Sequence, residues 1–227
     1  GLGGAIYSTL SGGQIELNQT QFISCESKSG GAVYSTISGT GKLIITNQCS
    51  FTSCKGTAGN GGALYASLSS ISGSGGISIT GSASTFTSCT VPRDSGHGGA
   101  IYLDLASGTE TKYDLTGASY STTTDKLNNA QYGKNLFIKA FDLSTAVPIH
   151  TTASPTKTKI GAGLDSYEKA NPTNLMGYDN VIGTLAIPLY YVYTAVDPLV
   201  FHVNNPISPF QIGSGNNNKY CGHLGWP

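Results

Sequence analysis

The sequence predicts an all-β fold, a parallel β-helix (a solenoid) of about five coils followed by a Pro- and Tyr-rich β cap or linker. Three observations predict it. The motif Gly-Gly-Ala-apolar-Tyr occurs at Gly3–Tyr7, Gly30–Tyr34, Gly61–Tyr65 and Gly98–Tyr102. A second motif, Phe-x-Ser-Cys, occurs between its copies at Phe22–Cys25, Phe51–Cys54 and Phe86–Cys89. The composition is poor in helix-forming runs and charge, with 31 Gly, 13 Tyr and 11% charged residues in 227. Self-similarity at this period is the mark of stacked repeats, each burying its apolar face against its neighbours.

The elements follow in order within each unit. The Gly-Gly pair turns a corner, by positive φ or close backbone approach. The strand after it carries Ile6, Val33, Leu64 or Ile101 inward, as one apolar ladder. The pairs Ile15/Leu17, Leu43/Ile45 and Ile77/Ile79 alternate with period two and predict a second strand. Phe22, Phe51 and Phe86 then form an aromatic ladder, and Cys25, Cys54 and Cys89 a ladder of thiols. Equivalent strands in stacked units lie ~4.8 Å apart. Unit length varies in the turns, so Asn47–Ser50 and Arg93–His97 read as surface excursions. A fourth unit runs from Gly98 through Leu115 and Tyr120 without the Phe-x-x-Cys motif. A fifth begins at Gly133-Lys134-Asn135-Leu136-Phe137-Ile138. Residues 1–146 therefore form the repeats. Residues 147–227 hold eight of the nine Pro and the run Leu189–Tyr193, and read as a region that caps or connects the last coil.

Composition excludes several functions. Net charge is zero, and Arg93 is the only arginine, which argues against nucleic acid as a partner. The apolar stretch from Leu185 to Val203 is broken by Pro188, Asp197 and Pro198, which argues against membrane insertion by this segment. The five Cys, including Cys49 and Cys221, show no zinc spacing, so no metal site and no cofactor is expected. Stacked thiols can pack as small apolar groups, or one pair can bridge. The acids of the first three units, Glu16, Glu26 and Asp94, occupy different places in the repeat. Asp104 stands alone on the fourth strand. No paired carboxylates and no Asp-x-Asp cluster appear, so no catalytic residues are assigned. Arg93, Asp94 and His97 share one turn as a small polar cluster. His150, His202 and His223 are scattered. Ser38-Gly39-Thr40-Gly41-Lys42 lacks the spacing of a phosphate loop and reads as a turn. Two features remain. Tyr7, Tyr34, Tyr65 and Tyr102 alternate with the inward ladder, so they form an outward row able to stack on sugars or dock a partner. Asn18-Gln19-Thr20 is a candidate N-glycosylation site, at Asn18.

The Gly-Gly-Ala-[Ile/Val/Leu] and Phe-x-x-Cys motifs resemble the GGAI and FxxN repeats of polymorphic outer-membrane adhesins. They resemble more closely the repeat-rich surface proteins of anaerobic flagellate protists, as do Tyr132–Phe137, Ile187–Tyr193 and Cys221-Gly222. The resemblance covers roughly residues 3–140. It implies a right-handed, pectin-lyase-like parallel β-helix at the cell surface or outside the cell, and a chain in which a further repeat segment follows Cys221. The expected function is a non-catalytic structural or adhesive segment whose partners are glycans or other surface proteins. The alternatives are a polysaccharide lyase or hydrolase of the same fold, and a filament or matrix subunit that associates end to end.

Overall fold

The computed structural model describes residues 1–147, 159–161, 170–181, 183–189 and 192. His150, His202, His223, Cys221, Tyr190, Tyr191 and Tyr193 lie outside the described residues. The first unit holds β1 (Ile6–Leu10), β2 (Gln14–Asn18), β3 (Gln21–Ile23) and β4 (Glu26–Ser27). The second holds β5 (Val33–Gly39), β6 (Lys42–Thr46), β7 (Ser50–Thr52) and β8 (Lys55–Gly56). The third holds β9 (Leu64–Ile71), β10 (Gly76–Thr80) and β11 (Ser84–Thr87). The fourth holds β12 (Ile101–Leu105), β13 (Tyr113–Asp114) and β14 (Ala118–Tyr120). Then come β15 (Leu136–Ala140), the short helix α1 (Leu143–Ala146), β16 (Leu175–Asp179) and β17 (Gly183–Pro188).

Each unit supplies one strand to each of three sheets. The largest has the order β1-β5-β9-β12-β15-β16-β17. The others run β13-β10-β6-β2 and β14-β11-β7-β3, and β4 pairs with β8. All pairings are parallel except β16 with β17. The register aligns the repeat motifs. Ile6, Val33, Leu64, Ile101 and Leu136 face one another in turn, as do Ile15, Leu43 and Ile77. Phe22, Phe51, Phe86 and Tyr120 also align, so Tyr120 takes the place of Phe in the fourth unit. The Phe rings stack at 4.8 and 4.7 Å, nearly coplanar, with Tyr120 tilted at 6.0 Å. Phe51 and Phe86 have no exposure, which places this stack in the core.

The two glycines of each pair do different work. The first takes the left-handed conformation: φ is +63° at Gly3, +59° at Gly30, +69° at Gly61 and +68° at Gly98. The second sits against the next unit. A Cβ on Gly62 would lie 2.0 Å from the Gly99 carbonyl oxygen and 2.7 Å from the Thr90 amide nitrogen. In the fifth unit the second position is Lys134, whose N–H bonds to Thr173 rather than to another Gly-Gly pair. The Ser of Phe-x-Ser-Cys forms a second left-handed corner, with φ of +53° at Ser24, +54° at Ser53 and +55° at Ser88.

Three expectations change. Asn47 and Gln48 are exposed, but Cys49 is fully buried. Both of those residues have positive φ, and the double corner turns the thiol inward onto the Leu17 and Thr46 carbonyls, at 3.4 and 3.3 Å. His97 does not join Asp94. Its backbone N–H donates to Asn60 Oδ1 (2.9 Å), its Nδ1 lies 3.2 Å from the same oxygen, and its ring stacks on Tyr132. Asp104 is not alone, because β15 places Lys139 opposite it.

Candidate ligand-contact face

The outer face of the largest sheet carries two columns of side chains. Strand alternation sends Ile6 and its equivalents inward and the next residue outward. Parallel register then stacks the outward residues. Tyr7, Tyr34, Tyr65 and Tyr102 form a continuous pile, with ring centroids 5.6, 4.4 and 5.1 Å apart. Phe137 extends it at 5.8 Å, with its ring within 2° of parallel to Tyr102. The neighbouring column is Thr9, Thr36, Ser67, Asp104, Lys139 and Tyr178. Thr36 Oγ1 donates to Thr9 Oγ1 at 3.1 Å. Lys139 Nζ reaches Asp104 Oδ2 at 3.2 Å, with both side chains about one-quarter exposed, at 29% and 25%.

The row is not uniformly exposed, as alternation alone would have it. Tyr7 is 60% exposed and Tyr102 only 5%. Tyr34 and Tyr65 are half-buried. Tyr102 clusters with Phe137 and Met176, and Tyr65, Tyr178 and Ala186 pack against them. Tyr178 meets Phe137 edge-on at 5.7 Å. The strands that bury Tyr102 thus come from later in the chain: β15, which carries Phe137, and β16, more than seventy residues further on. Burial first, and then the Asp104 charge, pushes the phenols of Tyr65 and Tyr102 well above the usual tyrosine range. They remain neutral hydroxyls, able to donate hydrogen bonds. The accessible part of the face is therefore Tyr7, Tyr34 and Tyr65 beside Thr9, Thr36 and Ser67. The piled rings cover one another's faces, so Tyr34 and Tyr65 present ring edges and hydroxyls and Tyr7 alone has an open face. A sugar can stack its C–H face on Tyr7 and lie along the ring edges, its hydroxyls bonding to the phenols and to the Thr and Ser hydroxyls.

The thiol ladder is interior. Cys54 and Cys89 are buried and Cys25 is half-buried, and all are free thiols, as is Cys49. Each buried thiol reaches back one unit, Cys54 Sγ to Phe22 O (3.6 Å) and Cys89 Sγ to Phe51 O (3.4 Å). A hydrogen bond with Cys89, together with burial, pushes the Cys54 thiol up, so it is a poor nucleophile. Sequence reasoning missed the fourth member of this ladder, Asn128. Its Nδ2 donates to Phe86 O (3.1 Å), and its Oδ1 accepts from Cys89 N–H (2.8 Å). The 3₁₀ turn Thr124–Lys126 separates Asn128 from Tyr120 and hides the Phe-x-x-Cys spacing. Asn129 bridges to Thr90 in parallel, which sets Asn128 level with Cys89.

Asn18 is exposed at the end of β2, and Thr20 Oγ1 donates to its carbonyl at 3.1 Å. Glu26 pairs with Lys55 at 3.7 Å. Among the described residues no three His, Cys, Asp or Glu side chains gather as metal ligands, and no helix is long and apolar enough to cross a membrane. No protein-family model, curated protein or solved structure matches the chain.

Proposed function

We propose that this chain is a non-catalytic adhesive segment of an extracellular or cell-surface protein, folded as a right-handed parallel β-helix, whose tyrosine face contacts glycans. The observation that carries the reading is the in-register pile of Tyr7, Tyr34 and Tyr65, open to solvent at one end and flanked by Thr9, Thr36 and Ser67. The strand order supports the helical architecture, because each unit contributes in turn to the same three parallel sheets. Parallel crossovers are overwhelmingly right-handed, which supports the hand. The exposed sequon at Asn18 accords with a glycoprotein.

The test is to incubate the purified chain with plant, bacterial and animal polysaccharides in the presence of Ca²⁺. Soluble products and retained protein are both measured. Retention without new oligosaccharides is the expected result. Oligosaccharide release would instead favour the polysaccharide-cleaving alternative. Failure on every glycan would move the assignment to a protein-binding or scaffold segment.

A further inference from the structure

A second face carries a site of different chemistry. On the outer side of the sheet β13-β10-β6-β2, the column beginning at Gln14 continues through Lys42 and Gly76, and Lys112 follows immediately before β13. Lys42 and Lys112 are thus two strands apart, about 10 Å at ~4.8 Å per step. Gly76 carries no side chain, so the notch between the two lysines is floored by backbone. Its φ is +133°, and the Lys112 carbonyl oxygen fills the space where a Cβ would sit, 2.1 Å away. The notch opens into a groove of about 380 Å³, with Gly73–Gly75, Ser78 and Asp114 also on its walls.

Cationic groups outnumber acidic ones around this groove. Lys112 Nζ donates to Gly73 O at 3.0 Å, which fixes the ammonium over the loop and leaves two of its three N–H groups for a ligand. Lys159 lies alongside, donating to Thr111 O at 2.7 Å, with its ammonium 4.4 Å from the Tyr113 ring centroid. Asp114 is the groove's one carboxylate. Its Oδ1 accepts the Thr116 N–H (2.9 Å), and its charge acts on Lys159. Among the described residues, Lys42 and Lys112 on the groove walls and Lys159 beside them stand against the one carboxylate of Asp114, a net positive charge.

We propose that this notch binds an oxyanion, sulfate or carboxylate, carried on an acidic polysaccharide. Lys42 and Lys112 take its oxygens from the two sides, and the sugar chain lies along the groove over Ser78. The site is separate from the tyrosine face and does not rest on it.

The test uses the full chain on immobilised heparin, which carries sulfate, and on immobilised hyaluronan, which carries carboxylate alone. Free inorganic sulfate serves as competitor. Retention on heparin alone would support a sulfate-bearing ligand, and retention on both a carboxylate-bearing one. Lys42→Gln and Lys112→Gln should each weaken retention about three- to tenfold, the loss of one partly screened charge-assisted hydrogen bond. Lys42→Gln is the cleaner variant, because Lys112 also anchors Gly73. Lys28→Gln, which removes an exposed lysine that does not line the groove, should leave this retention unchanged. The proposal is overturned by no retention on either polymer, by retention that Lys42→Gln does not alter in a folded protein, or by retention that a large excess of free sulfate does not reduce.

Discussion

Replacing Gly62 by Ala tests the packing of the repeat at its tightest point. The added methyl would sit 2.0 Å from the Gly99 carbonyl oxygen and 2.7 Å from both Thr90 N and Thr90 O. All three are backbone atoms on packed strands or corners, so no side-chain rotation relieves the contact. Relief requires the third and fourth units to separate locally by about 1.5 Å or more, judged against ordinary contacts of about 3.5–4 Å. Such a movement stretches Gly62 N–H to Gly98 O (3.0 Å) and Ala63 N–H to Ala100 O (2.9 Å). Overpacking costs about 1–3 kcal/mol, and weakening two buried backbone hydrogen bonds adds about 1 kcal/mol each. The expected loss is therefore about 3–5 kcal/mol. Gly12→Ala is the control, because the nearest atom to its added methyl would be Thr40 Oγ1 at an ordinary 3.6 Å. The assay is urea unfolding of both variants followed by tyrosine fluorescence and far-ultraviolet circular dichroism, with m compared to detect any change in the unfolding transition. A loss below about 1 kcal/mol at Gly62, similar to that at Gly12, would refute the claim that the second glycine is set by contact between units.

Three further predictions follow from the corners, the histidine and the thiols. Ser53 sits at φ +54°, so Ser53→Val should be less stable than Ser53→Gly by about 1–2 kcal/mol in urea unfolding, because β-branched residues resist the left-handed region. Burial holds the His97 imidazole below its ordinary value of 6.5. The unfolded chain therefore takes up a proton first on acidification, so the His97 contribution is intact above about pH 6.5 and declines below it. His97→Asn, which copies Asn60 at the preceding equivalent position, should flatten stability between pH 7 and pH 5; an unchanged profile would remove His97 as the cause. In a Cys221→Ser background, a thiol reagent should modify Cys25 in the native state and reach Cys49, Cys54 and Cys89 only on unfolding. Equal reactivity of all four would contradict the buried ladder.

The repeating part of the fold was legible because each motif answers a local demand that recurs in every unit. Gly3 and its equivalents need positive φ, Gly4 and its equivalents need space, and Phe22, Phe51 and Phe86 need a stacking partner above and below. What stayed hidden depends on distant chain or altered spacing. Tyr102 is outward by alternation but covered by the later strand bearing Met176 and Tyr178. Cys49 looked like part of a surface turn, yet two successive positive-φ residues swing it into the core. Asn128 replaces cysteine after an inserted 3₁₀ turn, which no fixed-spacing motif detects. Lys139 became the partner of Asp104 only once the register of β12 and β15 was known. The Lys42–Gly76–Lys112 notch is likewise a product of register, since its residues are far apart in sequence and unremarked by any motif.

The most direct test of the account is retention on neutral polysaccharides of the wild-type chain beside Tyr34→Phe and Tyr34→Ala. Tyr34 is half-buried in the middle of the open row, with rings 5.6 Å and 4.4 Å away on either side. The account predicts that the wild type binds without cleaving, that Tyr34→Phe keeps most of the retention, and that Tyr34→Ala loses about three- to tenfold, because it removes one exposed ring edge and breaks the pile that holds Tyr7 in place. Equal retention of all three folded proteins would contradict a role for the tyrosine face.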